Sequence, residues 1–270
     1  MKMKKLLLSL ICCLFADLAL YGNDRIVSLS PALTELVWHL KQGKTLVGRS
    51  SACQYPNTVK QLPIAGNFGQ PQVEKVFSLK PTWIIANDFI NPQMAHRFRQ
   101  NGIKVDLRQI RNPEDYRWWV RKIGEMLSCQ KEAEKELKRI GFLEQKLKQK
   151  KAMPLKILWV VSDRPLMVAG PGSLPDQVIS MMKMNNAAKS VPNEYFKCSW
   201  EWLLQHQPDW IVWSIPGKPE KTHRLWGKMK AVKNNHVISG IVNDPVQCPG
   251  PRWLDSILRL RAKLEQGAIR

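Results

Sequence analysis

Glu74-Lys75-Val76-Phe77-Ser78-Leu79-Lys80-Pro81-Thr82-Trp83-Ile84-Ile85-Ala86 and Glu201-Trp202-Leu203-Leu204-Gln205-His206-Gln207-Pro208-Asp209-Trp210-Ile211-Val212-Trp213 are two versions of one pattern. Each opens on a glutamate, places a proline seven residues later and passes through Trp-Ile into a short apolar run. Proline lacks a backbone donor and crowds the turn before it, so a helix must stop there. The run that follows has no polar face, as in a strand covered on both sides by helices in a parallel sheet. Two such copies predict two similar α/β lobes, although helix, proline and strand also recur by chance in any α/β chain.

The segments around the first copy follow the same alternation. Arg25 to Leu29 reads as a strand that breaks at Ser30-Pro31 into a helix over Ala32 to Leu40, with Ser30 as N-cap and Pro31 at the first helical position. Thr45 to Gly48 is a short strand, 49–56 and 65–71 are loops, and Pro92 to Gln100 and Ile103 to Val105 are the next helix and strand. From Pro113 to Gln149 there is no strand signal. A helix begins at Asn112-Pro113, and a second, Gln130 to Gln149, carries Ala133, Leu137, Ile140, Leu143 and Leu147 on one face. Its 20 residues reach about 30 Å, enough to bridge two lobes. The plan then repeats: strand 156–161, strand 166–169, helix from Ser173 to Met184, loop 185–196, the second copy, helix 222–230, strand 236–239, loop 240–250 and a last helix 251–266. The division expected is a leader at 1–22, an N-terminal lobe at 23–128, an interlobe helix at 129–152 and a C-terminal lobe at 153–270.

Composition narrows the function. The chain of 270 residues has a formal charge of +20. Three lysines before Leu6 to Ala16 make the basic and apolar parts of an export signal, too short for a comfortable span. An uncleaved anchor or a lipoprotein is the alternative. Without residues 1–22 the charge is +18, which suits anionic polymer, lipid or small molecule. The lysines are densest at 131–151, where glutamates alternate with them, the pattern of a solvated helix face. Cys53, Cys129, Cys198 and Cys248 lie beyond the leader; an exported chain can pair them, and Cys198 with Cys248 would stay in one lobe. The five histidines are scattered singly, with no metal-binding spacing. Gly170-Pro171-Gly172-Ser173 only superficially resembles a phosphate-binding turn, since neither G-x-G-x-x-G nor a Walker lysine is present. No nucleophile elbow and no cysteine with an obvious histidine partner occur, so an enzyme is not expected.

Ligands of open parallel sheets bind beyond the carboxyl ends of the strands. Those ends feed the loops near 28–31, 49–56, 65–70, 87–91, 162–172, 187–197, 213–218 and 240–250. Tyr55, Phe68, Phe89, Tyr195, Phe196 and Trp213 lie on or beside them. Two such lobes facing each other would make one cleft from these loops.

Arg25-Ile26-Val27-Ser28-Leu29-Ser30-Pro31-Ala32-Leu33-Thr34-Glu35, Cys53-Gln54-Tyr55-Pro56, the Val73 to Ala86 stretch and Pro249-Gly250-Pro251-Arg252 occur in an order that resembles the periplasmic substrate-binding proteins of ABC transporters for vitamin B12, ferric siderophores and haem. The resemblance implies two Rossmann-like lobes with central, mostly parallel sheets, joined by a single long rigid helix. It implies a monomer without a cofactor, with no role for nucleic acid, that hands a chelate to a permease dimer with its ATPase. Glu74 and Glu201 match the exposed acids with which each lobe docks on permease arginines; as acids in a first helical turn they also suit the helix dipole. Ser30, Pro31, Tyr55, Phe68, Asn87, Met167, Tyr195, Trp213 and Asp244 are the ligand-binding positions expected in the interlobe cleft. Asn87 and Met167 depart from the bulky rings of some B12 binders. A corrinoid suits the aromatic walls, whereas a ferric siderophore or haem would favour the nearby Arg49 and Arg164. A basic exported protein that adheres to anionic polymer or lipid is the contrasting class.

Overall fold

A computed structural model describes residues 24–87, 90–217, 224–242 and 244–268. The expected export leader at 1–22 and Phe89 lie outside these residues. The chain forms two α/β units. One comprises the described residues up to Ser30 with Gln42–Leu107, and the other comprises Pro31–Lys41 with Arg108 onward. These units meet at 30, 41 and 107, and the whole 130–149 helix belongs to the second.

In chain order, β1 (Ile26–Ser28) leads to α1 (Pro31–His39), which is counted with the second unit. The first unit continues with β2 (Leu46–Ser50), β3 (Ile64–Asn67), β4 (Gln70–Pro71), α2 (Val73–Ser78), β5 (Trp83–Ala86), α3 (Pro92–Gln100) and β6 (Lys104–Leu107). Its sheet runs β4-β3-β2-β1-β5-β6, parallel throughout except for β4. Val27, Ile84 and Phe98 are fully buried at its core, and Phe77 meets Phe98 edge to face with ring centroids 5.6 Å apart. Asn91 caps α3, accepting a hydrogen bond from the Gln93 amide, with Pro92 at the first turn.

The second unit adds α4 (Pro113–Met126), α5 (Gln130–Gln149), β7 (Lys156–Asp163), β8 (Leu166–Ala169), α6 (Leu174–Met181), β9 (Asn185–Asn186), β10 (Tyr195–Lys197), α7 (Trp200–His206), β11 (Trp210–Trp213), α8 (Lys230–Lys233), β12 (Val237–Ile238) and α9 (Trp253–Ala268). Its sheet runs β10-β8-β7-β11-β12 with β9 beside β7; β8 pairs antiparallel with both β7 and β10, and the other pairings are parallel. Tryptophans crowd its core, where Trp226 lies edge to face with Trp213 at 5.4 Å and with the half-buried Trp200 at 6.0 Å. Among the described residues no helix is long and apolar enough to cross a membrane.

The predicted helix at 130–149 is present with those ends. Several expectations are corrected. The 65–71 loop is a hairpin, β3–β4, because Gly66 adopts φ 147 and a side chain there would stand 2.4 Å from the Gln70 carbonyl oxygen. The loop at 185–196 supplies β9 and the start of β10. In place of one helix at 222–230 there is a 3-10 turn, Trp226–Lys228, then the single turn of α8; residues 222 and 223 lie outside the described residues. Cys198 and Cys248 are not joined, and no disulfide forms among the described residues.

Candidate functional site

The two repeated segments align element for element. In the first, α2 carries Glu74 in its opening turn, and the helix ends on Lys80 in the left-handed region (φ 47), one residue before Pro81. In the second, α7 carries Glu201 at the same place, and Gln207 (φ 34) is the left-handed residue before Pro208. The left-handed residue turns the chain out of the helix, and proline cannot re-enter it. Both glutamates are exposed. Ser199 caps α7 by accepting from the Trp202 amide at 3.1 Å, whereas Gln72 makes no side-chain cap for α2. Arg25 instead secures the far end of α2, donating to the carbonyls of Leu79 (2.7 Å) and Lys80 (3.0 Å).

At the carboxyl edge of the first sheet, two aromatic rings stand in solvent. Tyr55 is 47 % exposed and Phe68 43 %. Phe68 occupies the two-residue turn of the β3–β4 hairpin beside Gly69 (φ 70). The 51–56 loop is tied to that hairpin: the Ser51 amide donates to Gly66 O at 2.9 Å and its hydroxyl to Asn67 Oδ1 at 2.9 Å. The structure thus joins the supports of Tyr55 and Phe68. Asn87, at the end of β5, is half-buried with its Oδ1 enclosed and unpaired. Ser30 is fully buried at the end of β1, and Pro31 opens α1.

Arg49 is not a ligand-facing cation. It is 5 % exposed, and its guanidinium donates to the carbonyls of Ser50, Cys53 and Lys60, each at 3.1 Å. Those bonds commit both terminal nitrogens of the guanidinium to the 50–60 backbone and brace the loop that presents Tyr55. Arg164 is exposed, 3.9 Å from Asp163.

In the second unit, Tyr195 opens β10 opposite Ala169 and is 42 % exposed. It shares a 170 Å³ pocket with Trp159, Val161, Leu174, Pro175, Val246 and Gln247. Burial and then the Glu194 charge raise the pKa of Tyr195, which keeps it a neutral phenol. Met167 is half-buried on β8. Asp244 sits just before this pocket's Val246, but its Oδ1 accepts from the Val246 amide at 2.9 Å and so caps the 3-10 turn Pro245–Gln247. Trp213, expected at the ligand surface, is 1 % exposed, with its ring packed in the core beside Trp226. The apolar run that marks β11 carries it inward. Leu174, Pro175, Val246 and Gln247 gave no individual signal, being ordinary residues brought together by the β7 edge.

The glycine turn at 170–173 is occupied. Ser173 caps α6, and the Gly172 amide donates to the carboxylate of Asp176 at 3.0 Å. A second cavity, of 750 Å³, lies at the opposite, amino end of β11 and β12, lined by Trp210, Asn234, His236 and Lys263 among others. It is larger, but it lies at the end of the sheet away from the strand-end loops.

Two motif segments meet inside the second unit. Arg252 grips Glu35 through both carboxylate oxygens, at 2.9 and 2.5 Å, and Gly250 packs against Ala32, where a side chain would come within 3.2 Å of backbone. Beneath them Glu136 is 1 % exposed and accepts from Arg139 (2.7 and 2.9 Å) and Tyr116 (2.9 Å), with His39 Nε2 at 2.8 Å. Burial alone would raise the Glu136 pKa, yet bonds from Arg139 and His39 outweigh it and hold the carboxyl below its usual range. Burial pushes Cys129 up to about 11, assisted by Glu132, and Cys198 to about 12, so both are protonated thiols near neutrality. Among the described residues no group of three or more His, Cys, Asp or Glu side chains is placed to hold a metal ion.

Residues 26–240 match the family model described as periplasmic binding protein. Over 246 residues the chain is 22 % identical to the vitamin B12-binding protein of Vibrio parahaemolyticus, covering 88 % of each. It is 27 % identical over 232 residues to the high-affinity heme uptake system protein IsdE of Staphylococcus aureus, covering 80 % of this chain and 78 % of that one. The periplasmic heme-binding protein HutB of Vibrio cholerae shares the fold with a TM-score of 0.77 at 23 % identity, over 90 % of this chain and 99 % of that one.

Proposed function

We propose a function from one premise: the chain belongs to the periplasmic binding protein family. It is accordingly a binding protein and not an enzyme. Our reading is that, once exported, it captures a large planar metal chelate on its strand-end loops and passes it to the permease and ATPase of an importer. The observation that carries this is the placing of exposed aromatics. Among the described residues the exposed aromatic side chains are Tyr55, Phe68, Phe142 and Tyr195; Tyr55 and Phe68 stand on strand-end loops of the first unit, and Tyr195 opens β10 beside the second unit's 170 Å³ pocket. Rings held by tied loops present flat apolar area at small entropic cost, which suits a macrocycle.

A corrinoid and a haem are the two ligands in contention, with a ferric siderophore as the further iron chelate. Relatives named for B12 and for heme uptake support the first two equally. Parallel titrations with cyanocobalamin, hemin and a ferric siderophore, read by tryptophan quenching and the ligand's own absorption, separate them. Saturable binding of one, weakened by Phe68→Ala and Tyr195→Ala, is expected; saturation by none defeats the ligand class. For delivery, Glu74→Ala with Glu201→Ala is expected to abolish uptake while ligand affinity stays unchanged. Uptake that survives the pair removes the docking role.

A further inference from the structure

The alternating Lys and Glu of 131–151 look self-neutralising in sequence, but α5 sorts them by face. Glu136 is turned inward onto Arg139, His39 and Tyr116, and Glu144 pairs with Arg117 of α4. What remains outside is a row at steps of four, three, four and four residues: Lys131, Lys135, Lys138, Phe142 and Lys146, every one exposed. This spacing keeps a single line along the helix. No acid stands in it. Lys148 flanks the row, and Glu134 is the one exposed acid on α5, so five exposed lysines face one glutamate. Phe142 is 57 % exposed, more than any other large hydrophobic side chain described, and Lys146 Nζ lies 4.4 Å from its ring centroid.

We propose that this face of α5 docks on an anionic lipid bilayer, with the lysines at headgroup level and Phe142 entering the interface. Three features favour a bilayer over a soluble polyanion. The row runs along one side of the helix for about 22 Å, matching a plane. Its cations are all lysines, flexible point charges suited to diffuse surface charge, whereas arginine forks fit discrete phosphates. An apolar ring at its centre gains nothing from a polyanion but is stabilised at a membrane interface, where aromatic residues concentrate. The surface would keep the protein near a membrane whatever its ligand, and so does not rest on the ligand reading.

The test is co-sedimentation of the full chain with phosphatidylcholine vesicles, with and without phosphatidylglycerol, at low and high salt. The leader is common to all variants, so differences between them report on α5. The anionic vesicles should bind the protein more tightly, with the excess lost at high salt. Each lysine near such a surface contributes about fivefold, so Lys135→Gln, Lys138→Gln and Lys146→Gln together should lower the affinity about a hundredfold. Phe142→Ser should cost a further severalfold. Lys44→Gln, Lys60→Gln and Lys189→Gln, which change the total charge equally, should have little effect. Equal losses in the two triple variants would show diffuse charge alone and overturn the proposal. No preference for anionic vesicles, or a preference for heparin that ignores Phe142, would also overturn it.

Discussion

Trp83 and Trp210 occupy the same step of the repeated segment, and the two units hold them differently. The Trp83 ring is half-buried; its Nε1 donates to Asp106 Oδ2 at 2.6 Å and Lys104 Nζ lies 4.7 Å above it. Trp210 is buried, stacked on His236 at 4.2 Å, and wedged so closely on Gly267 that a side chain there would fall 2.4 Å from its ring. Its Nε1 finds no acceptor. The first unit anchors this strand through charge at a wet edge, the second through packing. Buried charges show the same contrast. Arg49 in the first unit is held by backbone carbonyls alone, whereas Glu136 in the second sits in a web of side chains. One topology therefore tolerates two ways of closing its ends, and chemical unfolding should distinguish them.

The sharpest break in this contrast is Trp210→Ala, expected to cost about 4 kcal/mol because it removes a large buried ring and its stacking on His236. Trp83→Ala should cost clearly less, and equal losses in denaturant titrations would erase the distinction. Next comes Glu136→Gln, expected to cost about 3 kcal/mol by leaving Arg139 short of its buried partner. The same carboxylate sets a pH dependence. Because its folded pKa is depressed, its stabilisation is complete above the unfolded value of about 4.3 and is lost as pH falls through the lower folded value. Hydrogen exchange in α5 should therefore accelerate on acidification in the wild type, and the acid slope should flatten in Glu136→Gln. Ser199→Ala should cost about 1 kcal/mol while Gln72→Ala costs nothing, since only the serine caps its helix. Smallest, Lys80→Gly and Gln207→Gly should each stabilise by up to about 1 kcal/mol, by relieving a left-handed side-chain residue. If only one does, the two helix ends are less alike than their dihedral angles.

Alternation of strands and helices was legible because its signals are local. Asn112 and Ser173 cap where short polar residues precede prolines, and α5 keeps one apolar stripe between its breakers. The β3–β4 hairpin was not legible, since Gly66, Gly69 and Pro71 are read as loop residues until the partner strand fixes the turn. Arg49 misled for a related reason. A charged side chain near a strand end suggests solvent or ligand, and only the fold shows three carbonyls waiting for it. Trp213 was drawn to the site by its place at a strand's end, although the side-chain direction along β11 sends it into the core. Leu174, Pro175, Val246 and Gln247 come together through tertiary pairing, which no local pattern encodes.

The crowding of Trp200, Trp213 and Trp226 has an optical consequence. Of the chain's eleven tryptophans, Trp83 alone belongs to the first unit. Intrinsic emission is therefore a nearly private signal of the second unit, whose edge-to-face indoles are close enough to couple their transitions and mark the near-ultraviolet dichroism. Replacing Trp83 by phenylalanine would remove the first unit's indole emission, and replacing the other ten tryptophans would leave an indole signal from the first unit alone.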